Sequence, residues 1–223
     1  MNTITLALVT AKAIIFDLDG VIVATEPLKF RAYQHVFKAV YYIELPETEV
    51  EWRGMKEEAV IHFWFRKFNL TGNCQKLIEA KRQAYRDLLK ITNLNTIKGI
   101  KNFLQVLKIQ QKKCALATSS NRLDALAILT RLNLEVFFDS IKTGDDVTLL
   151  KPSPQIYLET AQELQVQPKD CLVFEDSPSG IQAAKAAEMV CIGVTTSFSP
   201  DQLALADYTI SDFSQLSFST KVV

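Results

Sequence analysis

The chain has 223 residues, with 25 Lys and Arg against 25 Asp and Glu, so its formal net charge is zero. That balance argues against a broadly cationic nucleic-acid binder and against a long acidic tail. Hydrophobic residues make up 48% and charged residues 22%, which supplies apolar mass for a real core and excludes a disordered chain.

In chain order, residues 4–9 form the first apolar run. It is too short to span a membrane, and no basic region precedes it as in a signal peptide. Residues 13–17 are the first of four apolar runs that read as buried parallel strands; the others are 114–118, 171–175 and 190–194. Residues 208–210 read as a weaker strand and 137–140 as another short one. Helical patterns lie between them. Ile100, Phe103, Leu104 and Leu107 recur at i, i+3, i+4, i+7, as do Leu123, Leu126, Ala127 and Thr130. Tyr157, Ala161 and Leu164 share a further face. This alternation predicts an α/β fold, a doubly wound parallel sheet with helices on both faces.

One segment breaks the alternation. From residue 25 the pattern is helical throughout, with faces at Phe30, Tyr33 and Phe37, at Ile61, Trp64, Phe65 and Phe68, and at Leu77, Ala80, Ala84 and Leu88. Pro27 suits the first turn of the entering helix. The boundaries read as 1–24 and 98–223 for the sheet domain and 25–97 for an inserted helical module. His35 and His62 fall in that module without metal-type spacing, and neither is expected to be a ligand. Cys74, Cys114, Cys171 and Cys191 are scattered and form no Cys-x-x-Cys pair, so the expected setting is reducing and cytoplasmic, with no disulfide framework.

Chemistry concentrates at the strand ends, where sites form in open α/β sheets. Asp17 ends the first run and Asp19 follows two residues on, with Gly20 permitting a tight turn. Two acids this close stay ionised most readily with a cation between them. A calcium loop of the EF-hand type is excluded, because Leu28 stands where its bidentate Glu belongs. Thr118 ends the second run, before Ser119, Ser120 and Asn121; this is either a phosphate-sized donor cluster or a helix cap. Lys151 precedes Pro152 and Pro154, as a cation for a phosphoryl oxygen or as a surface lysine at a helix start. Glu175 and Asp176 end the third run, followed by a helix rich in Gly and Ala.

These four strings, in this order, resemble the haloacid dehalogenase-like hydrolase superfamily over nearly the whole chain, and the insertion resembles its helical-cap subgroup. The chain departs from the family's pattern at Leu150 and Glu188, where Gly is frequent, and at Gln155, where Asp is frequent. The resemblance implies a Rossmann-like core and phosphoryl transfer through an aspartyl-phosphate with Mg2+. Asp17 would be the nucleophile, and Asp19 the general acid and then base. Asp17, Asp176 and the Asp19 carbonyl would hold the metal, with Glu175 acting through its water. Thr118, Ser119 and Lys151 would hold the phosphoryl oxygens. Substrate selection would fall to Glu26, Lys29, Arg53, Gly54 and Lys56, with Ser120 and Asn121, although Arg53 and Lys56 also read as a solvated charge cluster.

The expected activity is a phosphatase acting on a small phosphorylated metabolite, with no nucleic-acid or membrane partner. The rival is a phosphomutase of the β-phosphoglucomutase type. That type has a histidine where this chain has Lys29 and a phosphate-gripping arginine where it has Glu57. A phosphoacceptor switch is disfavoured by motif order, because there the acid pair precedes the phosphoacceptor and no module is inserted.

Overall fold

The computed structural model of the protein describes residues 3–48, 51–52 and 55–216. The elements run α1 (Thr3–Thr10), β1 (Ala13–Phe16), α2 (Glu26–Tyr41), α3 (Glu57–Phe68), α4 (Cys74–Ile91), α5 (Ile100–Ile109), β2 (Lys113–Ala117) and α6 (Arg122–Leu132). They continue with β3 (Ser140–Lys142), α7 (Gln155–Glu163), β4 (Cys171–Glu175), α8 (Pro178–Ala186), β5 (Val190–Val194) and β6 (Tyr208–Ile210). The chain divides into two compact units, Met1–Ala24 with Leu94–Val223, and Thr25–Asn93.

The first unit is built on a six-stranded sheet in the order β3-β2-β1-β4-β5-β6. Every pairing is parallel. Parallel strands need crossovers and are covered on both faces, which is why they read as continuous apolar runs. Side chains alternate between the faces. On one face Phe16 stacks on Phe174 at 5.3 Å, with Phe103 and Phe213 closing around them. On the other, Ala13, Ile15, Ala115, Ala117, Cys171 and Val173 pack with Tyr157, Ala161 and Ile181 of α7 and α8.

Among the described residues, the regular elements of the second unit are the helices α2, α3 and α4. Phe30, Tyr33, Phe37, Trp52, Ile61, Trp64 and Leu77 form its core. Pro27 lies in the first turn of α2, where its missing N–H costs nothing. A buried ammonium is set into this core: Lys81 donates to Glu57 Oε1 at 2.9 Å and lies 5.0 Å from the Tyr33 ring centroid. Arg82 holds the other Glu57 oxygen at 2.8 Å. Among the described residues no helix is long and apolar enough to cross a membrane.

Several expectations need correction. Residues 94–97 belong with the sheet unit, because the Ala24 and Ile97 amides donate to Asn95 and Ile22 across residues 22–24. The strand expected at 137–140 is a 3₁₀ turn followed by β3, since the Asp139 carboxylate accepts from the Cys114 N–H and fixes where pairing begins. α4 buries Leu77, Ile78, Lys81, Tyr85 and Leu89, while Ala80 is exposed. α6 buries Asp124, Ala125, Ile128, Leu129 and Leu132, and Leu123 is exposed. In both helices a charged residue turned inward by a polar partner shifts the face.

Glu188, where the family often has Gly, takes a left-handed φ of 59° on the surface after α8. This conformation strains a residue with a Cβ. Glu188→Gly is expected to raise unfolding free energy by about 1 kcal/mol. Urea denaturation checks this; an unchanged or lower midpoint contradicts it.

Candidate active site

Strand register assembles the site. Phe16 pairs with Leu116 on one side and Phe174 on the other. One step further along the same register, Asp17 falls between Ala117 and Glu175, and the Asp17 N–H donates to the Phe174 carbonyl at 3.0 Å. These three residues form a row across adjacent strand ends, on the face covered by α7 and α8.

Lys151 closes that row. Its ammonium lies 2.6 Å from Asp17 Oδ1, 2.6 Å from Glu175 Oε1 and 2.9 Å from the Ala117 carbonyl. All three ammonium donors are therefore used. Lys151 is buried, so it is not a surface lysine at a helix start. Burial works against its charge, but Asp17 and Glu175 raise its pKa above the ordinary value and keep it an ammonium. Burial pushes the Asp17 carboxyl up; Lys151 pulls it down, and Glu175 and Asp19 add to the rise. One ammonium shared by two carboxylates thus leaves the row with excess negative charge.

Glu175 is held from all sides. Oε1 accepts from Lys151 and, at 2.9 Å, from the Tyr157 hydroxyl. Oε2 accepts from the Asp176 N–H, the Ser177 N–H and the Ser177 hydroxyl at 3.0–3.1 Å. A carboxylate offers about four lone-pair directions. Its oxygens thus meet protein donors on both sides, from Lys151 and Tyr157 on one and from the turn before α8 on the other. A Cβ at Gly180 would lie 1.8 Å from Oε1, so only glycine lets the helix approach this carboxylate.

Asp176 Oδ2 accepts a short hydrogen bond from the Ser197 hydroxyl. Gly20 has φ 77°, and a Cβ there would stand 1.8 Å from that same oxygen. The turn after Asp19 therefore lies directly against Asp176. The Thr196 hydroxyl holds this turn through the Gly20 carbonyl at 2.6 Å. Asp19 itself accepts from the Ser120 hydroxyl at 2.7 Å.

Thr118 is buried, and its Oγ1 accepts from the Ser120 N–H at 3.1 Å. Its hydroxyl hydrogen is the part that can reach a ligand. Ser119 is exposed beside it. Asn121 caps α6, accepting from the Asp124 N–H and donating to its carboxylate at 2.7 Å, so its bonds serve the helix rather than a ligand. In the helical unit Glu26 and Lys29 form an ion pair at 3.0 Å and Lys56 is exposed. Arg53 and Gly54 lie outside the described residues. Sequence reading passed over Tyr157, Thr196 and Ser197 as polar partners. Thr196 and Ser197 follow β5, and the strand-end rule applied to that strand finds them.

A doubly wound sheet with carboxylates and a lysine gathered beyond its strand ends is the arrangement of an α/β enzyme site. Residues 14–194 match the model of the haloacid dehalogenase-like hydrolases, and the chain belongs to that family. It is 35% identical over 180 residues to a phosphorylated carbohydrates phosphatase of Thermotoga maritima, covering 79% of this chain and 81% of that relative. It is 34% identical over 192 residues to a beta-phosphoglucomutase of Bacillus subtilis, covering 82% and 83%. Its structure is similar to CbbY from Rhodobacter sphaeroides in complex with phosphate, with a TM-score of 0.79, 27% identity and coverage of 93% and 96%.

The excess charge predicts a stability effect. An acid whose folded pKa lies above its unfolded value costs nothing below the unfolded value, near pH 4, and destabilises the fold increasingly as pH rises through the folded value. Without divalent ions, Asp17→Asn should therefore unfold above the wild-type temperature at neutral pH and match it near pH 3–4. The expected shift is several degrees, since about 1 kcal/mol moves a chain of this size by roughly 2–4 °C. Thermal melts in EDTA across pH check this; a lower melting temperature for the variant at pH 7 would contradict it.

Proposed function

We propose that the protein is a Mg2+-dependent phosphatase that hydrolyses a small phosphorylated metabolite, a sugar phosphate, through an aspartyl-phosphate on Asp17. The observation that carries this reading is the row of Asp17 and Glu175 around the Lys151 ammonium, with Asp19 tethered to Ser120. The substrate class is supported by relatives named as a phosphorylated carbohydrates phosphatase and a hexitol phosphatase. The unpaired cysteines fit a reducing, cytoplasmic setting.

The donor set suits Mg2+. Asp17 and Asp176 are buried carboxylates, and the Ser197 hydroxyl that meets Asp176 brings no charge. Hard oxygen donors with excess negative charge match that cation. The side chains of Asp17 and Asp176 and the Asp19 carbonyl would hold it; when bound, it supplies neutralisation of phosphoryl charge.

The residues then divide the work. Asp17 attacks phosphorus, and the bond from phosphorus to the leaving oxygen breaks while Asp19 donates a proton to that oxygen. Ser120 fixes the orientation of Asp19 for this transfer. Phosphorylation removes the Asp17 carboxylate charge, so Lys151 would turn one donor from Asp17 to a phosphoryl oxygen, joined by the Thr118 hydroxyl and the Ser119 N–H. Asp19 next takes a proton from water, which attacks phosphorus, frees phosphate and restores Asp17. The helical unit would select the substrate through Glu26, Lys29, Arg53, Gly54 and Lys56.

Hydrolysis is favoured over mutase chemistry by position 57. Glu57 stands there in place of the mutase type's phosphate-gripping arginine, and Lys81 and Arg82 are both taken up by its carboxylate.

Phosphate release from a panel of sugar phosphates is expected with Mg2+, to be lost in EDTA and restored by Mg2+. Conversion of glucose 1-phosphate to glucose 6-phosphate without release would overturn the phosphatase reading. Asp17→Asn should abolish turnover with the fold intact by circular dichroism. Asp19→Ala should slow both steps by about 10²–10⁴-fold, the usual worth of acid–base catalysis, while Mg2+ binding is retained. An unimpaired Asp19→Ala enzyme contradicts that role.

A further inference from the structure

The helical unit carries a donor cluster that the proposed reaction does not use. Glu58 and His62 are one turn apart on α3, with His62 Nε2 3.9 Å from Glu58 Oε1. Cys74 is the first residue of α4, and its Sγ lies 4.0 Å from the Glu58 backbone carbonyl. A carboxylate oxygen of Glu58, a ring nitrogen of His62 and the Cys74 sulfur all lie within 4.8 Å of one another. The helical pattern alone pairs neither histidine with a ligand; the fold supplies the third donor from the next helix.

We propose that Glu58, His62 and Cys74 form a Zn2+ site that ties the middle of the helical unit together, with a fourth position for water. One thiol, one imidazole and one carboxylate suit a borderline-soft ion, whereas Mg2+ and Ca2+ prefer oxygen alone. Zn–S near 2.3 Å and Zn–N or Zn–O near 2.0–2.2 Å place tetrahedral ligand atoms about 3.3–3.6 Å apart. The cluster must therefore close by about an ångström. Glu58 and His62 are exposed and can move that far. The start of α4 is the fixed side, because Asn73 caps it through the Lys76 N–H at 3.0 Å. The His62 ring is oriented by edge contact with Phe65 at 6.2 Å. On binding, the Cys74 S–H bond breaks, an S–Zn bond forms and the proton leaves to solvent, with no change of oxidation state. A free thiol is protonated at neutral pH, so this proton is present to be released.

The other three cysteines are buried, so the rapid reaction of the reduced, metal-free protein with Ellman's reagent reads Cys74. Zn2+ is expected to slow that reaction at least about tenfold with saturation, and millimolar Mg2+ to leave it unchanged. His62→Ala should lose the protection, and Glu58→Gln should need more Zn2+. Co2+ should give a thiolate charge-transfer band that Cys74→Ser lacks, a readout that needs no labelling. Unchanged labelling with Zn2+, or protection of His62→Ala equal to wild type, overturns the site. None of these readouts involves phosphate release.

A second, independent observation concerns Tyr157, which is fully buried. Its hydroxyl donates to Glu175 Oε1, the same atom that receives Lys151, and the Lys151 ammonium lies 4.9 Å from its ring centroid. We infer that Tyr157 is a positioning residue that aims Lys151 through both contacts; this rests on the phosphatase reading. The ring holds the cation and the hydroxyl holds its carboxylate partner. Tyr157→Phe keeps the first contact and Tyr157→Leu loses both. The expected result is a fall in kcat of about tenfold for Tyr157→Phe, and more for Tyr157→Leu, with KM unchanged. A lower melting temperature with wild-type kcat in Tyr157→Phe would make the residue merely structural and overturn the inference. A wild-type protein that releases no phosphate would instead sink the reading beneath it.

Discussion

The Lys151 ammonium binds the ends of three adjacent strands, and the rest of the site is arranged around that contact. Asp17 and Glu175 sit side by side because the register of β1 and β4 puts them there. Two buried carboxylates so placed repel, and a buried ion pair is tolerable only when its geometry satisfies both partners. Lys151 supplies the charge, Tyr157 and the Asp176 and Ser177 amides just before α8 supply further donors, and Gly180 lets α8 come close enough. The arrangement remains one positive charge short, which supports the divalent cation proposed for the site.

The helical unit solves a similar problem with the opposite sign. Lys81 is buried against a glutamate and a tyrosine face, as Lys151 is. Around Lys151 a second carboxylate tips the balance to negative; around Glu57 a second cation, Arg82, tips it to positive. Desolvation makes a lone buried ammonium costly, so in each unit the neighbours decide what the lysine is for. One balance favours capture of a cation. The other stabilises the packing of α3 on α4.

Much of this was legible in the sequence. β1, β2, β4 and β5 are buried on both faces, so their apolar runs are continuous and their ends announce Asp17, Thr118, Glu175 and Asp176. Other features belong to pairs of residues distant in sequence. The inward face of α4 includes Lys81 because Glu57 meets it, and that of α6 includes Asp124 because Asn121 meets it. Hydrophobic period cannot record a charged residue made acceptable by a partner. The same holds for Ser120, whose hydroxyl is turned to Asp19, and for the partners of Glu175. The departure at Glu188 was visible as a residue type, but only the backbone shows that it occupies a left-handed turn.

The position of β1 carries a consequence for how the molecule comes into being. Among the described residues it is made before the strands it pairs with, yet it lies inside the sheet, with Ala13 paired to Lys113 on one side and to Cys171 on the other. Between the first strand and its first neighbour the ribosome delivers the whole of Thr25–Asn93, a unit with a core of its own. That unit can collapse on local contacts while β1 waits with both edges unpaired, and long-range pairing of this kind is slow and exposed to aggregation. The four residues of β1 are all apolar and are flanked at once by Asp17 and Asp19. The same carboxylates proposed for catalysis therefore follow the strand as charged gatekeepers during synthesis, before Ser120, Lys151 and Glu175 exist.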